Sequence, residues 1–193
     1  MTASPLPRAV RTRLWQWERG AGLERFELRR AEDGWLLRGT IVAGSGGGSA
    51  EVRYEVSCDG GWRTRRAEVA VRDDAGARAI EIVASGAGWW SNGREVELVR
   101  GCVDIDLGWS PSTNTLPIRR LGLAVGSASG PIVAAWVRFP ELTLEPLAQE
   151  YRRLSERSYR YTSNGGAFAA DLEVDDEGLV IDYPGAWRRV VAG

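Results

Sequence analysis

Alternation of apolar and polar residues runs through most of this chain, and a two-residue period is one that a helix cannot bury. Val52, Tyr54, Val56 and Cys58 fall on one side of an extended segment, and Glu51, Arg53, Glu55 and Ser57 on the other. Phe168, Ala170, Leu172 and Val174 alternate against Ala169, Asp171 and Glu173 in the same way. Ile80 and Ile82 flank Glu81, and Val96 and Leu98 flank Glu97. Residues two apart share one face of a strand, so these runs predict antiparallel strands with one buried and one wetter face. Turn formers punctuate them: Asp33-Gly34, Asp59-Gly60-Gly61, Asp73 to Gly76, Ser91 to Gly93, Asn164 to Gly166 and Asp175 to Gly178. That spacing suits a meander of hairpins rather than βαβ crossovers. The expected class is mostly β, an antiparallel sheet with few short helices. At 193 residues the chain is long enough for one domain with a substantial core, and 1–193 reads as a single domain.

Two stretches need a decision. Leu144, Leu147, Tyr151 and Leu154 recur at helical spacing, yet Tyr159 and Tyr161 alternate against Arg160. Strands with a bulge near Pro146 are the preferred reading of this region. From Ser112 to Leu121 a short helix is expected, capped by Asn114 or Thr115, entered through Pro117 and burying Leu116, Ile118 and Leu121.

Composition narrows the chemistry. All basic residues are Arg; Lys and His are absent. Without His the chain lacks the commonest general base, the usual triad member and the commonest metal ligand. The net charge of −1, from 25 basic and 26 acidic residues, gives no global attraction to nucleic acid or anionic membrane. No window reaches the apolar length of a membrane span, and the N-terminal residues lack the apolar run of a signal peptide, so a cytoplasmic location is expected. Cys58 and Cys102 occupy apolar positions in strand-like runs and read as reduced, packed thiols, although a disulfide between them is not excluded by position. Gly44-Ser-Gly-Gly-Gly-Ser49 lacks the Lys-Ser/Thr of a P-loop and reads as a hairpin tip. The acidic run from Asp171 to Glu177 does not have the spacing of an EF-hand loop and reads as a solvated turn. No cofactor is implied.

The candidate site residues fall in three groups. Asp104 and Asp106 lie two apart, on one face of a strand, where they accept hydrogen bonds and pair with Arg119 or Arg120, or else share a proton or bind a ligand head group. Asn114 lies in the loop between them and those arginines. Trp62-Arg-Thr-Arg-Arg66 sets an aromatic ring beside Arg63 and Arg65, which is either a solvated strand end or a grip for a phosphate or carboxylate. Among nine tryptophans, Trp89 and Trp109 flank turn-like segments and join Trp62 as candidates for a pocket wall. From Ile132 to Phe139 both strand faces are apolar and must be covered by protein or by ligand. A concave apolar cavity is therefore expected, with Trp62, Trp89 or Trp109 and Arg63 or Arg65 near its rim.

Gly101-Cys-Val-Asp-Ile-Asp-Leu107, followed by Pro111-Ser-Thr-Asn-Thr-Leu-Pro-Ile-Arg-Arg-Leu121, resembles the bacterial putative glycolipid-binding family. Tyr54 to Asp59, Trp62 to Arg65, Phe139 to Leu142, Gln149 to Tyr151, Tyr159 to Tyr161 and Gly178 to Pro184 extend the resemblance over nearly the whole chain. Ser155-Glu-Arg157 departs from it, standing where family members carry a glycine-bearing tip. The resemblance implies a curved sheet or incomplete β-barrel, similar to bacterial lipoprotein carriers. It implies a lipid or glycolipid as partner and supplies no catalytic residues. The leading expectation is a cytoplasmic lipid- or glycolipid-binding protein. An enzyme using Asp104 and Asp106 on a small glycan or ester, or a protein-interaction domain, are the alternatives.

Overall fold

The computed structural model describes residues 9–45 and 48–190, so the centre of the glycine-rich tip lies outside the described residues. Strands β1 (Ala9–Trp17), β2 (Ala21–Ala31), β3 (Gly34–Ser45), β4 (Gly48–Asp59), β5 (Thr64–Asp73), β6 (Gly76–Ser85), β7 (Gly88–Ser91) and β8 (Arg94–Glu95) form the first half. After β9 (Ile105–Asp106) and helix α1 (Thr115–Leu121) come β10 (Ile132–Val137), β11 (Leu144–Arg153), β12 (Ser158–Ser163), β13 (Phe168–Val174), β14 (Val180–Tyr183) and β15 (Trp187–Arg189). All belong to one sheet in the order β8-β7-β6-β5-β4-β3-β2-β1-β15-β14-β13-β12-β11-β10-β9. It is a single curved sheet not closed into a barrel. Every neighbouring pair is antiparallel except β9 and β10, where Ile105 lies parallel beside Ala135.

The alternation resolves as expected. Val52, Tyr54, Val56 and Cys58 are buried, as are Leu172 and Val174, Ile80 and Ile82. All six turn signals sit between consecutive strands. The inward face of the first half carries one apolar cluster, including Trp15, Phe26, Leu37, Val56, Val69 and Ile82. A second, centred on Tyr151, Tyr159, Tyr161, Leu172 and Val180, lines the other half. Helix α1 is wedged between them. Leu116 packs into the first cluster and Ile118 into the second.

The crossing segment is secured through its backbone. Thr64 N–H donates to Val103 C=O at 3.2 Å, and Ile105 N–H to Thr64 Oγ1 at 3.0 Å. Ala135 N–H reaches Asp104 C=O at 2.9 Å, and Leu107 N–H reaches Thr113 Oγ1 at 3.1 Å. A buried irregular segment needs such partners for its amides and carbonyls. The helix falls where expected and ends on Gly122 in the left-handed region, φ 53°. Asn114 occupies its N-cap position without capping it, donating instead to Tyr151 Oη at 2.8 Å.

Three further expectations differ. Glu97–Val99 is a 3-10 turn rather than a strand, and Leu98 is exposed there. The β10–β11 ladder runs through Pro146 without a register shift, so no bulge forms. In the two-faced run cover is incomplete: Ala134, Ala135 and Val137 are buried, while Val133 and Phe139 are exposed.

Candidate functional site

A cavity of about 720 Å³ opens at one end of the trough, where the ends of β1, β3, β4 and β15 meet the loop around Trp109. Its walls are Trp17, Trp109, Phe139, Phe168, Tyr183 and Trp187, filled in by Ile41, Ala43, Ala50, Val52, Ala75 and Ala186. Arg19, Ser49, Asp73 and Asp74 supply polar groups to the lining. Phe139 is held in place by Arg78. That guanidinium forks onto Asp73 at 3.0 and 2.8 Å, donates to Pro140 C=O at 2.9 Å, and lies 6.0 Å from the Phe139 ring centre. Trp109 meets Phe139 and Tyr54 edge-on, with ring centres 6.3 and 5.8 Å away.

A buried polar cluster adjoins this wall. Glu24 points inward from β2, fully enclosed, in phase with Phe26 and Leu28. Its Oε1 accepts from Tyr54 Oη and, at 2.8 Å, from Ser110 Oγ. Tyr54 Oη lies 2.8 Å from Ser112 Oγ, and Ser110 Oγ lies 2.8 Å from Ser112 Oγ. Gly39 makes room for Tyr54, since a Cβ there would stand 2.2 Å from its ring. Burial pushes the Glu24 carboxyl up to about 8, against the opposing effect of Tyr54 and Ser110. Burial and the adjacent Glu24 hold the Tyr54 hydroxyl well above its ordinary value. Glu24 Oε2 and Trp109 Nε1 make no hydrogen bond among the described residues.

The signature segment builds a different constellation. Asp104 is buried and gripped by Arg120, Nε to Oδ1 at 2.9 Å and Nη2 to Oδ2 at 2.5 Å. Burial raises the Asp104 carboxyl despite this fork, and the same fork raises Arg120. Asp106 accepts from Gln149, and burial pushes its carboxyl up to about 6. Neither aspartate lines the cavity.

A stack of four side chains runs from Arg30 to Arg119. Arg30 sits 4.5 Å from the Trp35 ring centre, Trp35 stacks on Trp62 at 4.7 Å, and Arg119 lies 5.3 Å from Trp62. Trp62 adopts φ 66°, a strained value for a tryptophan, and its neighbour Asp59 accepts from Gly61 and Arg63 amides. Trp89 is buried and donates to Cys102 C=O at 2.9 Å. Arg63 and Arg65 are exposed, and Arg63 acts on Asp104 only as a nearby charge.

Of the ten residues singled out from sequence, Trp109 lines the cavity. Asp104 with Arg120, Asp106, and Asn114 support the crossing segment; Trp62 and Arg119 share the stack, Trp89 is in the core, and Arg63 and Arg65 are outside. Trp17, Phe168, Tyr183 and Trp187 were not anticipated in the wall. Glu24 carried a readable signal, being a carboxylate in phase with Phe26 and Leu28. A second depression of about 830 Å³ lies on the opposite sheet face, but its lining is a lattice of paired charges such as Arg25 with Glu27 and Arg38 with Glu55.

The model of the family described as "putative glycolipid-binding" matches residues 12–189. A crystal structure of a DUF1089 family protein from Pseudomonas aeruginosa superposes with a TM-score of 0.79 at 34% identity, covering 98% of each chain. No curated protein matches the chain.

Proposed function

The chain belongs to the putative glycolipid-binding family, and from that premise and the cavity we propose that it binds a lipid or glycolipid, apolar part inside and polar part at the rim. The observation that carries this reading is the lining. Aromatic and aliphatic side chains make up most of the wall, and a few polar groups join them. The volume of about 720 Å³ lies within the range of small-molecule sites. Tryptophan and tyrosine suit either part of such a ligand, since their rings bury area and their polar tips bond at a wet edge. Asp104 and Asp106 stand outside the lining, which leaves a catalytic use of them without supporting geometry.

Among the described residues no helix is long and apolar enough to cross a membrane. The reading places the binding protein in the cytoplasm, supported by the free, buried state of Cys58 and Cys102.

The test is native mass spectrometry of the purified protein before and after delipidation, followed by titration with a fluorescent fatty acid. A removable ligand mass, and saturable binding of the probe that quenches tryptophan emission, are the expected results. Absence of both would overturn the reading and favour an interaction domain.

A further inference from the structure

One end of the cavity is built by strand register. Trp17 of β1 lies directly opposite Trp187 of β15, and Trp187 directly opposite Tyr183 of β14. Opposed residues of antiparallel strands share a face, so the three rings form a row across three strands, and all three line the cavity. Arg19, in the turn that leaves β1, lines the cavity beside that row. Its Nε–H donates to Gly185 C=O in the turn between β14 and β15, and a Cβ on Gly185 would lie 3.6 Å from its Nη2. Its charge reaches the Tyr183 hydroxyl, where it opposes the effects of burial and of the Asp106 carboxylate. The guanidinium is thus fastened to the turn by one of its five N–H groups, and the others sit on its two terminal nitrogens.

Arginines along the strands are matched to carboxylates, as Arg38 is to Glu55, Arg66 to Glu68 and Arg160 to Asp171. Arg19 makes no ion pair among the described residues, and among them it is the only cation of the lining. The neighbouring carboxylate, Glu18, is turned to the Gly185 amide at 2.9 Å and to Arg188. The acids of the lining sit elsewhere. Asp73 is held by the Arg78 fork, and Asp74 is exposed in the turn between β5 and β6, four strands away in the sheet order. A guanidinium with two open nitrogens at the edge of an aromatic row is complementary to an anion whose alkyl chain lies along the rings.

We propose that Arg19 and the Trp17–Trp187–Tyr183 row form the head-group subsite, so that the ligand is an amphiphile ending in an anion, a carboxylate or a phosphate monoester, rather than a neutral glycolipid. This rests on the binding reading above and adds the charge of the head group. Two terminal nitrogens match two oxygens of either group. The alkyl chain passes from the rim over the rings to the apolar wall of Ile41, Ala43 and Val52. Arg19 is exposed, so the attraction acts at a wet rim and is open to screening by salt.

The experiment titrates the protein's tryptophan fluorescence at neutral pH with decanoate, decyl phosphate, decyl glucoside and decyltrimethylammonium, each below its micelle concentration. One or both anions are expected to bind about tenfold tighter than decyl glucoside, the worth of a charge-assisted fork at a partly screened rim. The order of the two anions tells carboxylate from phosphate. Raising the salt from about 0.01 M to about 1 M shortens the Debye length roughly tenfold, and the ratio of anion to glucoside affinity should shrink with it. Arg19→Gln removes the charge, and the same ratio should fall to about one. Equal affinity for the anions and the glucoside, tightest binding of the ammonium, or an undiminished ratio in Arg19→Gln overturns the subsite while leaving the binding reading standing. Binding of none of the amphiphiles overturns both. Should Arg19→Gln fail to fold by circular dichroism, the salt series on the wild-type protein decides: a ratio that does not change with salt overturns the subsite.

Discussion

Arg120 closes both nitrogens of its fork on the carboxylate of Asp104, a residue 16 positions earlier, with Nε to Oδ1 at 2.9 Å. The pair joins the end of α1 to the entry of β9, and the Asp104 side chain is 3% exposed. It fixes the crossing segment against the sheet edge by geometry that lysine would not reproduce.

Breaking this pair from either side should be costly. Asp104→Ala leaves a half-buried guanidinium and Arg120→Ala a buried carboxyl, each expected to lose roughly 3–5 kcal/mol in urea unfolding. The loss in Arg120→Ala should shrink at low pH, because the orphaned Asp104 can accept a proton. Costs under about 1 kcal/mol, as for surface pairs, would show that the fork does not hold the segment.

Gly39→Ala should destabilise by roughly 1–3 kcal/mol, the usual result of overfilling a packed site. The new Cβ would lie 2.2 Å from the Tyr54 ring and 2.5 Å from its hydroxyl. Displacing Tyr54 should also disturb Glu24, so thermal melting and the Glu24 titration should change together. A neutral substitution would mean that the ring can move freely.

Stability should depend on pH through Glu24. The folded value, about 8, lies above the ordinary 4.5, so the native state holds the extra proton. The contribution is complete below about pH 4.5 and is lost as pH rises to about 8, a change of order 4 kcal/mol. Asp106, raised to about 6, adds a smaller loss of the same sign at lower pH. Glu24→Gln should flatten the wild-type slope between pH 5 and 8 and exceed wild-type stability at pH 8, measured by urea midpoints. Parallel pH profiles for the two proteins would refute a neutral Glu24.

Ala50→Trp should fill the cavity. Ala50 lines it from β4, is partly exposed and lies opposite Ala43 in the ladder. Probe binding should fall at least tenfold with little change in melting temperature. Unchanged binding would place the ligand elsewhere.

Much of the sheet was legible because strand alternation and turn chemistry are local properties. The faces of β4, β6 and β13, the six hairpin turns and the place of α1 follow from residues within a few positions of each other. An Asp–Arg pair in the signature segment was legible too, since two carboxylates and two guanidiniums on a short tether have few other partners. The cavity was not. Trp62 and Trp109 give the same signal in sequence, a tryptophan beside a turn. Yet one is sealed between Trp35 and Arg119, and the other lines the opening. Trp17, Phe168 and Trp187 meet because β1 pairs with β15, a contact between the two ends of the chain. A two-residue period says which face of a strand is buried. It says nothing of which strands become neighbours or how far the sheet curls, and those depend on register and packing between residues far apart in sequence. The strands were therefore determined by the sequence read locally, and the site by tertiary structure alone.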